Sequence, residues 1–254
     1  MRNSHRVSTA PEVQRMTDAI SQRPPYAAPN DWPPVQAALA VAFILGVAIG
    51  LSGVVQMLPS RLPDVAKALI ALGVVQAAVL PLVFMAARRG KASAIEVLAL
   101  DRPLPGAREL VTALGGMMLI VVPYTLAVMI LSPDTMARDL KPFAQMLRSD
   151  WWWLVLIVVG IGAPLMEELL FRGFLQSALA RSRIGFAGAS LVSTTAWSAL
   201  HWGYSVAGLI EVFLIGLYFC WLLWRSGSLW VPMLCHGIYN SGLVLILLMM
   251  PLAA

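Results

Sequence analysis

Apolar residues run along this chain in near-continuous blocks of about 20, separated by short polar stretches. A helix of that length crosses a hydrocarbon core of about 30 Å. The blocks place spans at 35–58, 65–87, 109–132, 151–180, 186–204, 206–224 and 228–250, the fourth over-long and broken at Pro164. None shows the alternate-residue pattern of a barrel strand, and only helices or closed barrels satisfy their own backbone in lipid. The pattern therefore predicts an all-α fold, a polytopic transmembrane helical bundle of about seven spans, in which the ionisable Glu167, Glu168 and Arg172 mark an intramembrane active-site cavity.

The polar stretches divide the chain further. Residues 1–34 are proline-punctuated and poor in large apolar groups, which predicts a mobile cytoplasmic tail. The run that follows is a full span, too long for a signal peptide. Residues 35–132 form the N-terminal transmembrane helices. In 133–150, Leu140, Phe143, Met146 and Leu147 recur among charges at helical spacing, as in an amphipathic helix lying in the interface. Residues 151–250 form a catalytic helical core, entered through Trp151, Trp152 and Trp153 as through an aromatic belt. The glycines Gly46, Gly50, Gly53 and Gly115-Gly116 suggest close helix packing, with dimerisation as the alternative.

Composition agrees: 59% of the 254 residues are hydrophobic and 12% charged, too apolar for an ordinary soluble domain. The net charge of +5 does not signal nucleic acid, because the basic residues lie mostly in loops; the partner is the lipid bilayer. Arg2, Arg6, Arg15, Arg23, Arg88, Arg89, Lys91, Arg102, Arg108, Arg181, Arg183 and Arg225 fall on one side of the predicted topology. Arg61, Lys67, Arg138, Lys141 and Arg148 fall on the other. The positive-inside rule then sets the N-terminus in the cytoplasm and the C-terminus outside, in the plasma (inner) membrane if the cell is bacterial. Cys220 and Cys235 both sit in predicted spans as small buried hydrophobes. Two cysteines so placed make neither a disulfide framework nor a zinc pair.

Ionisable groups inside such spans are costly, about 2.5–3.5 kcal/mol each at helix centre on insertion scales, and mark function by default. Glu167, Glu168 and Arg172 occupy one span. Residues four apart lie about 40° apart around an α-helix, so Glu168 and Arg172 pair while Glu167 points elsewhere. A partly desolvated, unpaired carboxylate is suited to general-base work. His236 and Asn240 share a face of the last span, and Trp197 and His201 a face of the fifth; Glu211 reads as a wetted acid near a boundary. A base, two imidazoles, an amide and an ion pair together describe hydrolysis of an acyl bond, most simply a peptide bond. Depth is harder to reconcile. At about 1.5 Å per residue, Glu167 lies about 24 Å in from Trp151 and His236 about 12 Å in from Ser228, both near the cytoplasmic side. His201, about 24 Å from Gly185, falls towards the opposite face and belongs to another shell unless its helix tilts or starts lower.

Glu167-Glu168-x-x-x-Arg172, Trp197…His201 and His236-x-x-x-Asn240, with the lead-in Gly227-Ser228-Leu229-Trp230-Val231-Pro232, resemble the three motifs of the CPBP family. That family includes CAAX prenyl endopeptidases and bacteriocin-immunity (Abi) proteins. The resemblance covers about residues 145–250 and implies an intramembrane endopeptidase. It implies that Glu167 activates water, that Glu168 and Arg172 order the site, and that His201, His236 and Asn240 bind water or stabilise the oxyanion. Trp197, where phenylalanine is more usual, would help bind substrate. The implied substrate is a membrane-associated peptide or protein, either prenylated or a secreted-peptide precursor. A metal-free mechanism is the first expectation; the alternative is a zinc on Glu167, His201 and His236. Two other functions fit the same residues: a non-catalytic peptide-binding or immunity protein, and a proton-coupled transporter.

Overall fold

The computed structural model describes Tyr26 and residues 29–58 and 61–249. Most of the expected tail, 1–25 and 27–28, lies outside the described residues, but its last part is anchored. Asn30 is 1% exposed and its amide donates to Phe174 O and Ser177 Oγ, while the Trp32 indole donates to Ala86 O. The mobile-tail expectation therefore fails for 29–33, where a buried amide ties the chain down before the first span.

The apolar blocks fold as helices α1 (Pro34–Met57), α2 (Asp64–Ala87), α4 (Ala107–Leu131), α6 (Trp152–Ala180), α8 (Val206–Ser226) and α9 (Trp230–Met249). Each of these six is long and apolar enough to cross a membrane. Short α3 (Ala94–Val97) and amphipathic α5 (Pro133–Leu147) lie between them. The expected fifth span is only the 15-residue helix α7 (Gly185–Ala199), about 22 Å long and short of a full crossing. His201 thus sits in the turn after α7, not within a helix.

Pro164 does not break α6. The helix passes through it by widening into two π-helical stretches, Leu156–Gly162 and Glu168–Gln176. Such stretches are rare and concentrate at functional sites. The second is wholly buried, and α1, α2, α7 and α8 pack around it. α9 lies against the first, where Gly160 and Gly237 let the two backbones approach. Leu140, Phe143 and Met146 of α5 pack against a cluster that includes Leu69, Leu147, Val155 and Val158. The glycine stripe of α1 departs from expectation: a Cβ at Gly46, Gly50 or Gly53 would meet nothing within 4 Å, so no close approach among the described residues requires glycine there. Gly116 of α4 does pack closely, under the Tyr218 hydroxyl of α8, whereas a Cβ at Gly115 would also meet nothing within 4 Å.

The linker before α4 positions the start of α9. Leu229 N–H and the Trp230 indole donate to the carbonyls of Ala99 and Leu100. That turn follows α3, whose N-terminus is closed by a capping box between Ser93 and Glu96. Hydrogen bonds from the Ser93 backbone N–H and then its hydroxyl hold the Glu96 carboxyl below its ordinary pKa. A depressed carboxylate stabilises the fold above its unfolded pKa, and the contribution disappears as pH falls through the folded value. Amide protection factors at residues 94–100, taken against the intrinsic rate at each pH, are expected to fall on acidification through the carboxylate range and to lose that response in Glu96→Gln.

Candidate active site

Three of the ionisable residues named from the sequence converge on one point. Glu168 and Arg172 are both fully buried, and Glu168 Oε1 accepts from Arg172 Nη1 at 3.1 Å. The same oxygen lies 3.1 Å from His236 Nδ1 on α9. Because a carboxylate oxygen accepts, that nitrogen carries a hydrogen, which leaves further chemistry to Nε2. The Arg172 guanidinium donates onward to Gly216 O of α8 at 3.4 Å and stacks over the Trp197 ring of α7 at 4.2 Å. A desolvated cation over tryptophan contributes about 2 kcal/mol. Phe219 completes the wall, stacked on His236 at a centroid separation of 4.8 Å.

Glu167 stands apart and is only half-buried. Its Oε2 accepts from Trp197 Nε1 at 2.6 Å, a short charge-assisted hydrogen bond. The two neighbouring acids are thus held by different partners, as the helix arithmetic required. Trp197 is 2% exposed. It is no open wall: its ring is enclosed by Arg172, Phe219 and the two histidines, and its N–H is given to Glu167. Phenylalanine would keep that packing but could not make the hydrogen bond.

His201 belongs to this cluster after all. Its ring lies edge-on to Trp197 at 5.1 Å and to Tyr204 at 5.5 Å, and Nδ1 donates to Trp197 O. The expectation of a separate shell came from counting α6 inward from Trp151, as though the helix just filled the bilayer. Counted from the turn that α6 and α7 share, Glu167 lies about 20 Å and Trp197 about 18 Å away. The two are level, and His201 follows one turn later.

Asn240 is on the same face of α9 as His236, but its Nδ2 donates to Val159 O in the first π-helical stretch. Glu211, read as a wetted acid, accepts from Thr125 Oγ1 of α4 and is partly buried. Both cysteines are free and buried, as expected of small hydrophobes, and Cys220 lies against Gln176 and Thr194. Among the described residues no group of three His, Cys, Asp or Glu side chains is arranged to hold a metal ion. Glu167, His201 and His236 are therefore not grouped as a zinc set, and Glu168 Oε1 is already taken by Arg172 and His236.

The pattern of polar residues alone could not reveal Gly216 and Phe219. A Cβ on Gly216 would lie 2.7 Å from Thr194 Cγ2, 2.9 Å from Arg172 Nη2 and 2.9 Å from the Trp197 ring. Only glycine lets α8 come close enough for its carbonyl to meet the guanidinium. The one available sequence signal was a small residue amid the bulky run Phe213–Trp224.

Residues 149–242 match the family model described as Rce1-like, type II CAAX prenyl endopeptidase. The matched segment contains Glu167, Glu168, Arg172, Trp197, His201, His236 and Asn240. No curated protein and no solved structure matches the chain.

Two substitutions probe the packing and the hydrogen bond separately. Gly216→Ala is expected to destabilise the folded protein by about 1–3 kcal/mol, as overpacking does, in thermal unfolding in detergent. Trp197→Phe keeps a ring in place and removes one hydrogen bond, so a loss of about 0.5–3 kcal/mol is expected in the same measurement, together with a fall in any activity that depends on Glu167.

Proposed function

Starting from a multi-pass membrane chain whose residues 149–242 match the Rce1-like type II CAAX prenyl endopeptidase model, we propose that it hydrolyses a peptide bond through a water activated by Glu167. The observation that carries this reading is the unequal environment of the two adjacent acids. Glu168 is buried and neutralised by Arg172 and His236, while Glu167 is half-buried with one hydrogen bond, from Trp197. A held but uncompensated carboxylate is what a general base requires.

In this mechanism Glu167 takes a proton from water as the water oxygen attacks the scissile carbonyl carbon. The tetrahedral oxyanion is stabilised by His201 and His236 in the imidazolium form, each donating Nε2–H while its Nδ1–H stays on Trp197 O or Glu168, and neither proton is given up in the cycle. Glu167 then returns the proton to the leaving amine, so that protons balance over the cycle. Arg172 touches no reacting atom; it holds Glu168, and through Glu168 the orientation of His236. The chemistry is carried by the chain's own residues without a metal. The substrate is a membrane-associated peptide or protein, and a C-terminally prenylated peptide is the first to try. The N-terminus lies in the cytoplasm, following the basic residues of the loops.

The test is cleavage of a quenched-fluorescent farnesylated peptide by the full chain in liposomes. Glu167→Gln is expected to lower kcat by about 10²–10⁴-fold at unchanged abundance, and EDTA to leave the wild-type rate unaltered. Wild-type turnover by Glu167→Gln would contradict the proposal. Peptide binding without cleavage by the wild type would favour a peptide-binding or immunity protein.

A further inference from the structure

Three consecutive backbone carbonyls of α6 are each met by a side chain from another helix. Gln76 Nε2 of α2 donates to Val158 O at 2.7 Å, Asn240 Nδ2 of α9 to Val159 O at 3.1 Å, and Ser241 Oγ to Gly160 O at 3.3 Å. Gln76 is 6% exposed, on a span where an amide without a partner would be costly.

The chain itself explains why donors are needed here. Ala163 N–H reaches back to Val158 O, five residues away, which is the π register. Continued one residue on, that register would have residue 164 donate to Val159 O; an α register would have it donate to Gly160 O. Residue 164 is proline and has no N–H. In lipid no water satisfies the carbonyl so released, and its donor comes from Asn240 or Ser241 of α9, while Gln76 adds a second donor to Val158 O, which Ala163 N–H already reaches. The fit is close on both sides. A Cβ on Gly162 would overlap the Gln76 amide, and one on Gly160 would lie 2.7 Å from Ser241 Oγ.

We propose that Gln76, together with Asn240 and Ser241, positions the catalytic acid by clamping the π-helical turn that precedes it. The turn sets the rotation with which α6 enters Pro164–Glu168, and hence where Glu167 meets Trp197. Gln76 lies outside the matched segment 149–242, so the first two spans contribute to the site through this contact. Asn240 acts through the same turn, as a positioning residue. The inference rests on the peptidase reading for its effect on rate, though the clamp itself has a readout that does not. A misplacement of about 1 Å at a reacting group can cost about 10²-fold in rate, so the clamp has ample leverage.

The experiment uses the full chain with the farnesylated peptide in liposomes, and in parallel the Trp197 indole ¹⁵N–¹H resonance, identified by its loss in Trp197→Phe. Gln76→Met keeps length and apolar bulk but removes the donor. It is expected to lower kcat by about tenfold or more with KM within about twofold, and to move the indole resonance. Asn240→Leu is expected to lose rate in the wild-type background and to lose at least about threefold less beside Pro164→Ala, which restores a backbone N–H. A role at the oxyanion alone would show no such relief. A folded Gln76→Met with wild-type kcat and an unmoved indole overturns the proposal. If Gln76→Met fails to fold, equal losses for Asn240→Leu in both backgrounds overturn it instead. If the wild type cleaves nothing, the peptidase reading falls, and the indole resonance alone decides the clamp.

Discussion

A charged pair buried in the middle of an apolar bundle organises this molecule. Glu168 and Arg172 have no exposed surface, and removing either partner of such a pair typically costs about 3–5 kcal/mol because the other charge is left uncompensated. The pair is therefore surrounded from several directions. α9 supplies His236 to the carboxylate, α8 supplies the Gly216 carbonyl to the guanidinium, and α7 supplies the Trp197 ring above it. Three helices are brought to one place because one ion pair inside the apolar core needs all of them.

That solution leaves the adjacent acid available. Glu167 immediately precedes the buried acid in the same helix, yet it accepts its hydrogen bond from an indole N–H and remains half-buried. The contrast comes from helix geometry, which turns one side chain into the ionic core and its neighbour towards the shared edge of α6 and α7. The π-helical stretches on either side of Ala163–Glu167 add a second constraint. They flank the acids, and three successive carbonyls of the first accept side-chain hydrogen bonds from α2 and α9. Electrostatics inside the bundle and backbone satisfaction beside it thus converge on the orientation of one carboxylate.

Much of this was legible in the residue pattern. Uninterrupted apolar blocks give helices, and ionisable residues inside them give the site, because lipid penalises both unpaired backbone and unpaired charge. The Glu168–Arg172 partnership followed from spacing alone. The depth of His201 stayed open between two readings because it depended on how far α6 extends past the bilayer, which a count from one end does not reveal. The fifth span was overcounted for a related reason: Leu200–Tyr204 are apolar or aromatic enough to extend a block, but the chain turns there to carry His201 back to Trp197. Gly216 and Gln76 stayed hidden because their roles depend on which helix each one faces. The anchoring of residues 29–33 was hidden likewise, since Asn30 finds its partners on a helix far along the chain, at Phe174 and Ser177.

The central claim is that Glu167 activates water and does not itself attack the substrate. The most direct test is a single turnover in H₂¹⁸O with enzyme in excess over the farnesylated peptide, followed by mass analysis of both product and enzyme. The account predicts one ¹⁸O atom in the newly formed product carboxylate and none in the peptide that contains Glu167. An unlabelled product from that first turnover, with ¹⁸O found in Glu167, would mean that the carboxylate acts as a nucleophile and would contradict it.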